Sequence, residues 1–564
     1  MLKGFSASKG IAIASVYIYQ KEMPKIINEN SSNTLESLEV FNQAIEKSVK
    51  ELEHLIDVSQ HSDIFKAHLE ILTDVELYDQ TKTLIIGDKK HETNAFYQVT
   101  SQFIEMFDQM EDAYFKERAL DVKDIQYRVL CHMTNIKVMD LSTISEPVVI
   151  VAHDLTPSDT TSLNLQYVKG FITEVGGVTS HTAIMARSLN IPAIVGVKDM
   201  LLSVKQNQLI LLDAISNEII LSPDEIRLAK AYQDLEKHNQ KKELLKKYKD
   251  QKTMTKDGHH VGLFANIGSV KDVDFALEYG AEGVGLFRTE FLFMDSTVMP
   301  CLELQIKNYE AVFKQMDKVI IRTLDIGGDK ALPYLKQPHE DNPFLGHRAV
   351  RLCLAEKDMF KTQLKAILIA SKYKKQVDVM IPMIARVDEV LAVKEVLKDV
   401  IQSLVESKEK YQENIKLGIM IEIPSAALNI KRLAKHVDFI SIGSNDLIQY
   451  LFAADRMNEQ VSYLYEPFDP TLLEVIYHVI KTAKEEGIET GLCGEIGSNP
   501  YIALLLTAMH IDEISMSASS ILEVRKLLGE INFSELEDLL QSVLICDHAD
   551  AVKDKMKQFL KEKQ

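Results

Sequence analysis

Tryptophan is absent from the 564 residues, and cysteine (5), proline (14) and glycine (23) are sparse. The cysteines, Cys131, Cys301, Cys353, Cys493 and Cys546, are scattered, odd in number and nowhere spaced as CxxC. Neither a disulfide framework nor a zinc ribbon can be built from them, so reduced thiols and a cytoplasmic protein are expected. No run of about 18 apolar residues occurs, which excludes a membrane-spanning helix. The one leader-like stretch, Gly10 to Tyr19 behind Lys3 and Lys9, lacks a small-residue cleavage site, and its Ile11, Ile13, Val16 and Ile18 recur mostly at the period of a strand. Basic charge is also short: 64 Lys and Arg stand against 83 Asp and Glu, a net charge of −19. That excludes broad contact with a phosphate backbone, so no nucleic-acid partner is expected. What remains is 46% hydrophobic and 26% charged, enough apolar material for several cores. At about 100–200 residues per domain, the length implies three or four domains.

Neither glycine nor proline occurs between Pro24 and Gly87 or between Gly87 and Pro147, while Leu38, Phe41, Ile45, Val49, Leu52 and Ile56 repeat at helical spacing. A helical bundle over 23–142 is predicted, broken by a polar hinge near Asp88-Lys89-Lys90. From Pro147 the texture changes to short apolar runs such as Val148–Val151, Gly170–Ile172 and Gln208–Leu212. This α/β unit, 143–221, is expected to recruit the early strand in 1–22, which has no sheet partner within the helices. Ser222-Pro223-Asp224-Glu225 offers an N-cap, a proline at N1 and a capping-box glutamate, so a polar linker helix is expected over 222–252.

Over 253–564 eight strand-like runs alternate with helical patterns: Val261–Gly268, Gly283–Glu290, Val319–Gly327, Val377–Ile384, Leu417–Pro424, Phe439–Asp446, Thr490–Glu495 and Ile514–Ser517. Eight βα repeats predict a (β/α)8 TIM barrel, whose chemistry sits at the C-terminal strand ends. Those ends carry Arg288, Arg322 and, in a later segment, Arg348. Guanidinium forks suit a phosphate or carboxylate, although any one of them could instead pair with a rim carboxylate. Glu422, Asn445 and Asp446 end neighbouring runs, a hard-oxygen set suited to Mg²⁺ beside a phosphate. Arg456 follows shortly after. Cys493, between Leu492 and Gly494, is a candidate proton donor or thiolate, with an inert buried thiol as the alternative. In the α/β unit, Gly176-Gly177-Val178-Thr179-Ser180-His181 leads into an apolar-periodic helix, and a histidine at a helix N-terminus can receive a phosphoryl group in a prepared anion site.

Gly176–Gly196, Gly283–Phe293, Arg322–Lys330, Gly418–Pro424 and Ser441–Gln449 together resemble enzyme I of the phosphoenolpyruvate-dependent sugar phosphotransferase system, and the resemblance extends over nearly the whole chain. It implies a phosphohistidine α/β domain with an inserted helical bundle that docks the carrier HPr, a linker helix, and a phosphoenolpyruvate-binding barrel that forms a homodimer. His181 would accept the phosphoryl group on Nε2, with Thr160 orienting its imidazole. Arg288, Arg322, Lys330, Arg348, Asn445, Asp446 and Arg456 would bind phosphoenolpyruvate, Glu422 and Asp446 would ligate Mg²⁺, and Cys493 would protonate the enolpyruvate carbon. His68 and Arg118, in Phe65–Leu69 and Glu117–Asp121, would meet HPr. Two positions depart from the family pattern: His347 where tryptophan is common, and Lys9 where proline is usual. A pyruvate phosphate dikinase shares similar segments but needs a nucleotide-grasp domain, for which the helical first 145 residues leave no room.

Overall fold

The computed structural model describes residues 4–20, 23–58, 62–108, 113–136, 141, 144–155, 159, 163–176, 182, 186, 191–294, 296, 298–327, 332, 334–335, 340–372, 376–456 and 458–563. The chain forms two compact units, Met1–Gln240 and Lys241–Gln564.

In the first unit a seven-stranded sheet has the order β1-β5-β4-β3-β2-β6-β7. Its strands are β1 (Phe5–Ser8), β2 (Ile11–Tyr19), β3 (Val148–Ala152), β4 (Val168–Thr173), β5 (Ala193–Val195), β6 (Leu209–Asp213) and β7 (Glu218–Leu221). The early strand β2 does join the later α/β unit. It runs parallel to β3 from Ser15↔Val148 to Tyr19↔Ala152, and antiparallel to β6. Alternation places Ala12, Ala14 and Val16 with Val149, Val151 and Ile172 on one face, while Tyr19, Ile150, Ala152 and Phe171 pack on the other. Both faces of β3 are therefore buried, which explains its unbroken apolar run.

Between β2 and β3 the described residues form five helices: α1 (Thr34–Val58), α2 (Ser62–Leu72), α3 (Val75–Ile86), α4 (Glu92–Asp108) and α5 (Ala113–Thr134). Their shared core includes Phe41, Leu52, Phe65, Phe96, Ile125 and Val129. Asp74 caps α3 by accepting from Glu76 N at 2.7 Å, and the polar break after it is a turn in which Lys89 takes φ 53°. A long polar helix, α6 (Glu225–Lys246), follows β7. The sequence reading set its cap at Ser222, but Asp224 does the work, its Oδ1 accepting from Arg227 N at 2.8 Å. Ser222 instead turns left-handed at φ 45°, and its hydroxyl takes a hydrogen bond from Gln208.

The second unit is a closed parallel barrel of β8 (Gly262–Ile267), β9 (Val284–Arg288), β10 (Lys318–Arg322), β11 (Gln376–Ile381), β12 (Leu417–Ile421), β13 (Phe439–Ile442), β14 (Glu489–Leu492) and β15 (Glu513–Met516), as the eight apolar runs predict. A layer of Leu286, Ile320, Met380, Met420, Phe439 and Cys493 fills its interior, so the barrel is a packed core whose chemistry is confined to its ends. At the N-terminal end Lys318 Nζ lies 3.3 Å from buried Glu513 and 4.9 Å from the Phe264 ring centroid. All five cysteines are free thiols, and among the described residues no helix is long and apolar enough to cross a membrane.

Candidate active site

The C-terminal end of the barrel gathers most of the residues singled out in the sequence. Arg288 and Arg322 are the last residues of adjacent strands β9 and β10 and stand in register. Arg322 is buried and ion-paired through Nη2 to Glu290 and through Nη1 to Asp325 at 2.9 Å. Asp325 reaches the other way to Arg348 Nη2 at 2.8 Å, and Arg348 Nη2 lies 3.6 Å from Asp446. Asp446 also holds Arg456 Nη1 at 3.3 Å. The result is a continuous lattice, Glu290–Arg322–Asp325–Arg348–Asp446–Arg456, laid across the ends of three strands, β9, β10 and β13, and the segments that follow them. The alternative that each arginine meets a rim carboxylate is thus partly what the molecule does. Among the described residues the buried Arg322 Nε and Arg348 Nε nevertheless find no hydrogen-bond partner, so the lattice retains donor capacity.

Burial works against the charge of both arginines. The surrounding carboxylates, Glu290 first for Arg322 and Asp325 first for Arg348, outweigh it and hold both guanidiniums above their ordinary range. The Phe344 ring lies 5.8 Å from both the Arg348 and the Arg456 guanidinium, and Tyr450 accepts from Arg348 Nη1 at 3.3 Å while donating to Phe344 O at 2.6 Å. Backbone geometry supports the arrangement. Gly327, at φ 118°, passes so close to Arg348 that a Cβ there would lie 2.4 Å from the arginine's Cβ. Ala349 and Met383 take φ 51° and 60°, strained values for residues with a side chain, on either side of the same site.

Glu422 follows β12 and is buried at 1% exposure, its Oε1 accepting from Met383 N at 2.5 Å. Burial raises its pKa, Asp446 and Asp325 raise it further, and Arg322 and Arg348 oppose them. Two hard carboxylates that disfavour each other's charge, beside an arginine lattice, are the donor chemistry a divalent cation relieves. Among the described residues no three His, Cys, Asp or Glu side chains converge as a metal cage. The pair of carboxylates offers hard oxygen ligands suited to a divalent cation that would complete its shell from substrate and water.

Cys493 follows β14, 2% exposed, and burial pushes its thiol up to about 11 against the pull of a Ser441 hydrogen bond and of Arg322. The thiol is protonated at neutral pH. Asn445 fixes the next turn, its Oδ1 accepting from Glu495 N at 3.2 Å.

Matches to known proteins fall on this site and on the rest of the chain. Residues 242–533 match the family described as PEP-utilising enzyme, PEP-binding domain. Residues 144–217 match its mobile domain and residues 3–118 its N-terminal domain. Phosphoenolpyruvate-protein phosphotransferase of Priestia megaterium is 44% identical over 98% of this chain and 97% of its own length. That of Bacillus subtilis is 44% identical over 96% of each chain, and that of Staphylococcus epidermidis 42% identical over the whole of both. The chain belongs to the phosphoenolpyruvate-protein phosphotransferase family.

This enzyme I relationship extends to the first unit, where the sequence placed a phosphoacceptor and a carrier contact. His181, Thr160 and, in the barrel, Lys330 lie outside the described residues. Thr182, next to His181, is buried and donates to Asp154 Oδ1 at 3.2 Å and to Leu155 O at 3.3 Å, which ties that point of the chain to the end of β3. In the helical part His68 is buried at 2% exposure, between Asp121 Oδ1 at 3.1 Å and Asp124 Oδ2 at 3.6 Å. Arg118 Nη1 shares Asp121 at 3.5 Å. Sequence reasoning missed Glu290, Asp325, Phe344 and Tyr450. The two carboxylates lie inside motifs read only for their basic residues, and the usable signal was that a buried guanidinium requires an anion within reach.

Proposed function

We propose that the chain transfers the phosphoryl group of phosphoenolpyruvate to Nε2 of its own His181 and then to a histidine of the carrier HPr, releasing pyruvate, as the first step of sugar uptake by the phosphotransferase system. It acts in the cytoplasm as a homodimer formed through the barrel. The observation that carries this reading is the arginine–carboxylate lattice at the C-terminal end of the barrel, with two buried guanidinium Nε donors, a carboxylate pair and a protonated thiol in one site.

Arg288, Arg322, Arg348, Arg456, Lys330 and Asn445 bind the substrate. The guanidiniums exchange rim carboxylates for phosphate and carboxylate oxygens, and positioning and neutralisation supply most of the catalysis. Mg²⁺ held by Glu422 and Asp446 would neutralise charge on the phosphoryl oxygens. The bond from the enol oxygen to phosphorus breaks as the bond from His181 Nε2 to phosphorus forms. The enolate's electron pair then takes the proton of Cys493 Sγ, giving pyruvate and a thiolate beside Arg322. Thr160 orients His181. Since His68 is buried, Arg118 and Asp121 present its influence to HPr.

Incubation with labelled phosphoenolpyruvate and Mg²⁺ should place alkali-stable, acid-labile label on the chain, and His181→Ala should abolish it. Appreciable labelling of that variant would overturn the assignment.

A further inference from the structure

Two stretches of the connection into the barrel are held very differently. Along α6 the only buried side chain among those described is Ala231, so little but the helix's own hydrogen bonds supports it. Immediately beyond, residues 248–253 are stitched to the barrel by one buried arginine, Arg525, on helix α7 (Ala518–Gly529), at 2% exposure. Its Nε donates to Thr253 Oγ1 at 2.9 Å. Nη1 donates to Tyr248 O at 3.0 Å and Lys249 O at 2.9 Å, and Nη2 to Gly280 O at 2.6 Å and Glu282 Oε1 at 3.3 Å. All five guanidinium N–H groups are thereby used, and three of them close on backbone carbonyls.

The partner groups reinforce one another. Glu282 Oε1 also accepts from Thr253 N at 3.2 Å and Thr253 Oγ1 at 2.5 Å. Gly280, at φ 68°, lets its backbone approach so closely that a Cβ there would lie 2.2 Å from Lys249 O. An arginine with no donor left over and no access to solvent has nothing with which to hold a ligand. Its geometry serves only to fix the chain that leaves the helix. Tyr248 O and Lys249 O lie just past the end of α6, and a planar fork that collects both fixes the position and direction of the chain there.

We propose that Arg525 is a positioning residue that locks the barrel end of the linker, so that the swing carrying His181 to and from the barrel takes place upstream of Tyr248. This rests on the reading that phosphate passes between the two units. A locked end restricts the histidine to arcs that begin from one fixed direction. Releasing it spreads those arcs and lowers the fraction that reaches the substrate in line.

The test compares full-length wild type with Arg525→Met and with Gly280→Ala, which keeps the arginine in the sequence but presses on Lys249 O and on Arg525 Nη1 and so loosens the same junction from the other side. Hydrogen exchange of the Tyr248, Lys249 and Gln251 amides is read against that of the barrel strands. In the same preparations phosphoenolpyruvate affinity, exchange of label between His181 and phosphorylated HPr, and single-turnover transfer from phosphoenolpyruvate to His181 are measured. In both variants those amides should exchange about tenfold faster or more with the strands unchanged. Single-turnover transfer should fall about tenfold, while affinity and HPr exchange stay within twofold. Unchanged amides, or loosened amides with unchanged transfer, would overturn the proposal. So would a parallel loss of phosphoenolpyruvate affinity, which would make Arg525 a core residue of the barrel. If wild type acquires no label on His181, the functional reading fails, and the exchange result still decides whether Arg525 locks the linker.

Discussion

The barrel buries charge at both ends, and the two ends resolve the cost differently. At the C-terminal end, arginines that cannot lose their protons are interleaved with Glu290, Asp325 and Asp446, so the positive charge of the lattice persists at any working pH, even though burial raises Glu422 beside it. At the N-terminal end, Glu513 is paired with Lys318, and burial pushes its carboxyl up to about 7; burial also raises Asp378. That end sheds charge by taking up protons. Permanent charge with unused donors suits an anionic substrate, whereas charge that can be neutralised serves only the packing of the barrel floor. Each of the following measurements would break or sharpen this contrast.

The largest effect is expected for Arg322→Met. Single-turnover labelling should fall about 10³-fold or more, because one residue supplies both binding and neutralisation. Chemical denaturation should show about 3–5 kcal/mol lost, because Glu290 and Asp325 stay buried without their cation. Labelling within tenfold of wild type would remove the lattice from the reaction.

Chelation of divalent metal, or Glu422→Gln, should slow transfer by about 10²–10³-fold. Equal rates with and without chelator would mean that the carboxylate pair holds no catalytic cation.

Cys493→Ser should separate two steps. Steady-state pyruvate release should drop by about 10²-fold, with single-turnover labelling of His181 changed only a few-fold. Equal losses in both assays would assign the cysteine to binding.

The smallest effect belongs to the opposite end of the barrel. Glu513→Gln should leave transfer unchanged and alter only how stability depends on pH. With its folded pKa raised from 4.5 to about 7, Glu513 makes its proton-linked contribution in full below pH 4.5 and loses it as pH rises through 7. The loss is on the order of 3 kcal/mol at most. The variant should lack this decline, so its midpoint relative to wild type should rise between pH 5 and pH 8. A constant difference across that range would show that Glu513 titrates as an ordinary carboxylate.

Much of this architecture was legible because apolar period and glycine placement report burial directly. The barrel strands read as continuous Val and Ile runs, and the residues ending them, Arg288 and Arg322, were visible as polar side chains where the runs stop. The strands proved shorter than the runs, since apolar residues such as Ile384 and Ile326 continue into loops buried beneath the site. Pairing was less legible. Glu290 and Asp325 are ordinary acidic residues in sequence, and only the closing of the barrel sets them between two guanidiniums. The left-handed backbone at Ala349 and Met383 left no trace, because neither is a glycine or asparagine. The cap of α6 was misplaced because Ser222 and Asp224 are both good caps, and the choice depended on Gln208, just before β6, which engages the Ser222 hydroxyl.

The order of strands in the first unit also has a consequence for how the chain is made. β2 is an interior strand, yet its neighbours β3 and β6 begin only at Val148 and Leu209. During synthesis at about 5–20 residues per second, β2 waits some six seconds or more before its first neighbour is translated. Five helices with a core of their own emerge in that interval and can fold first. Meanwhile Ile11–Tyr19 presents two unpaired edges and an apolar face, the features that invite strand-to-strand aggregation. The nascent chain is therefore most vulnerable at β2, until β3 has been made.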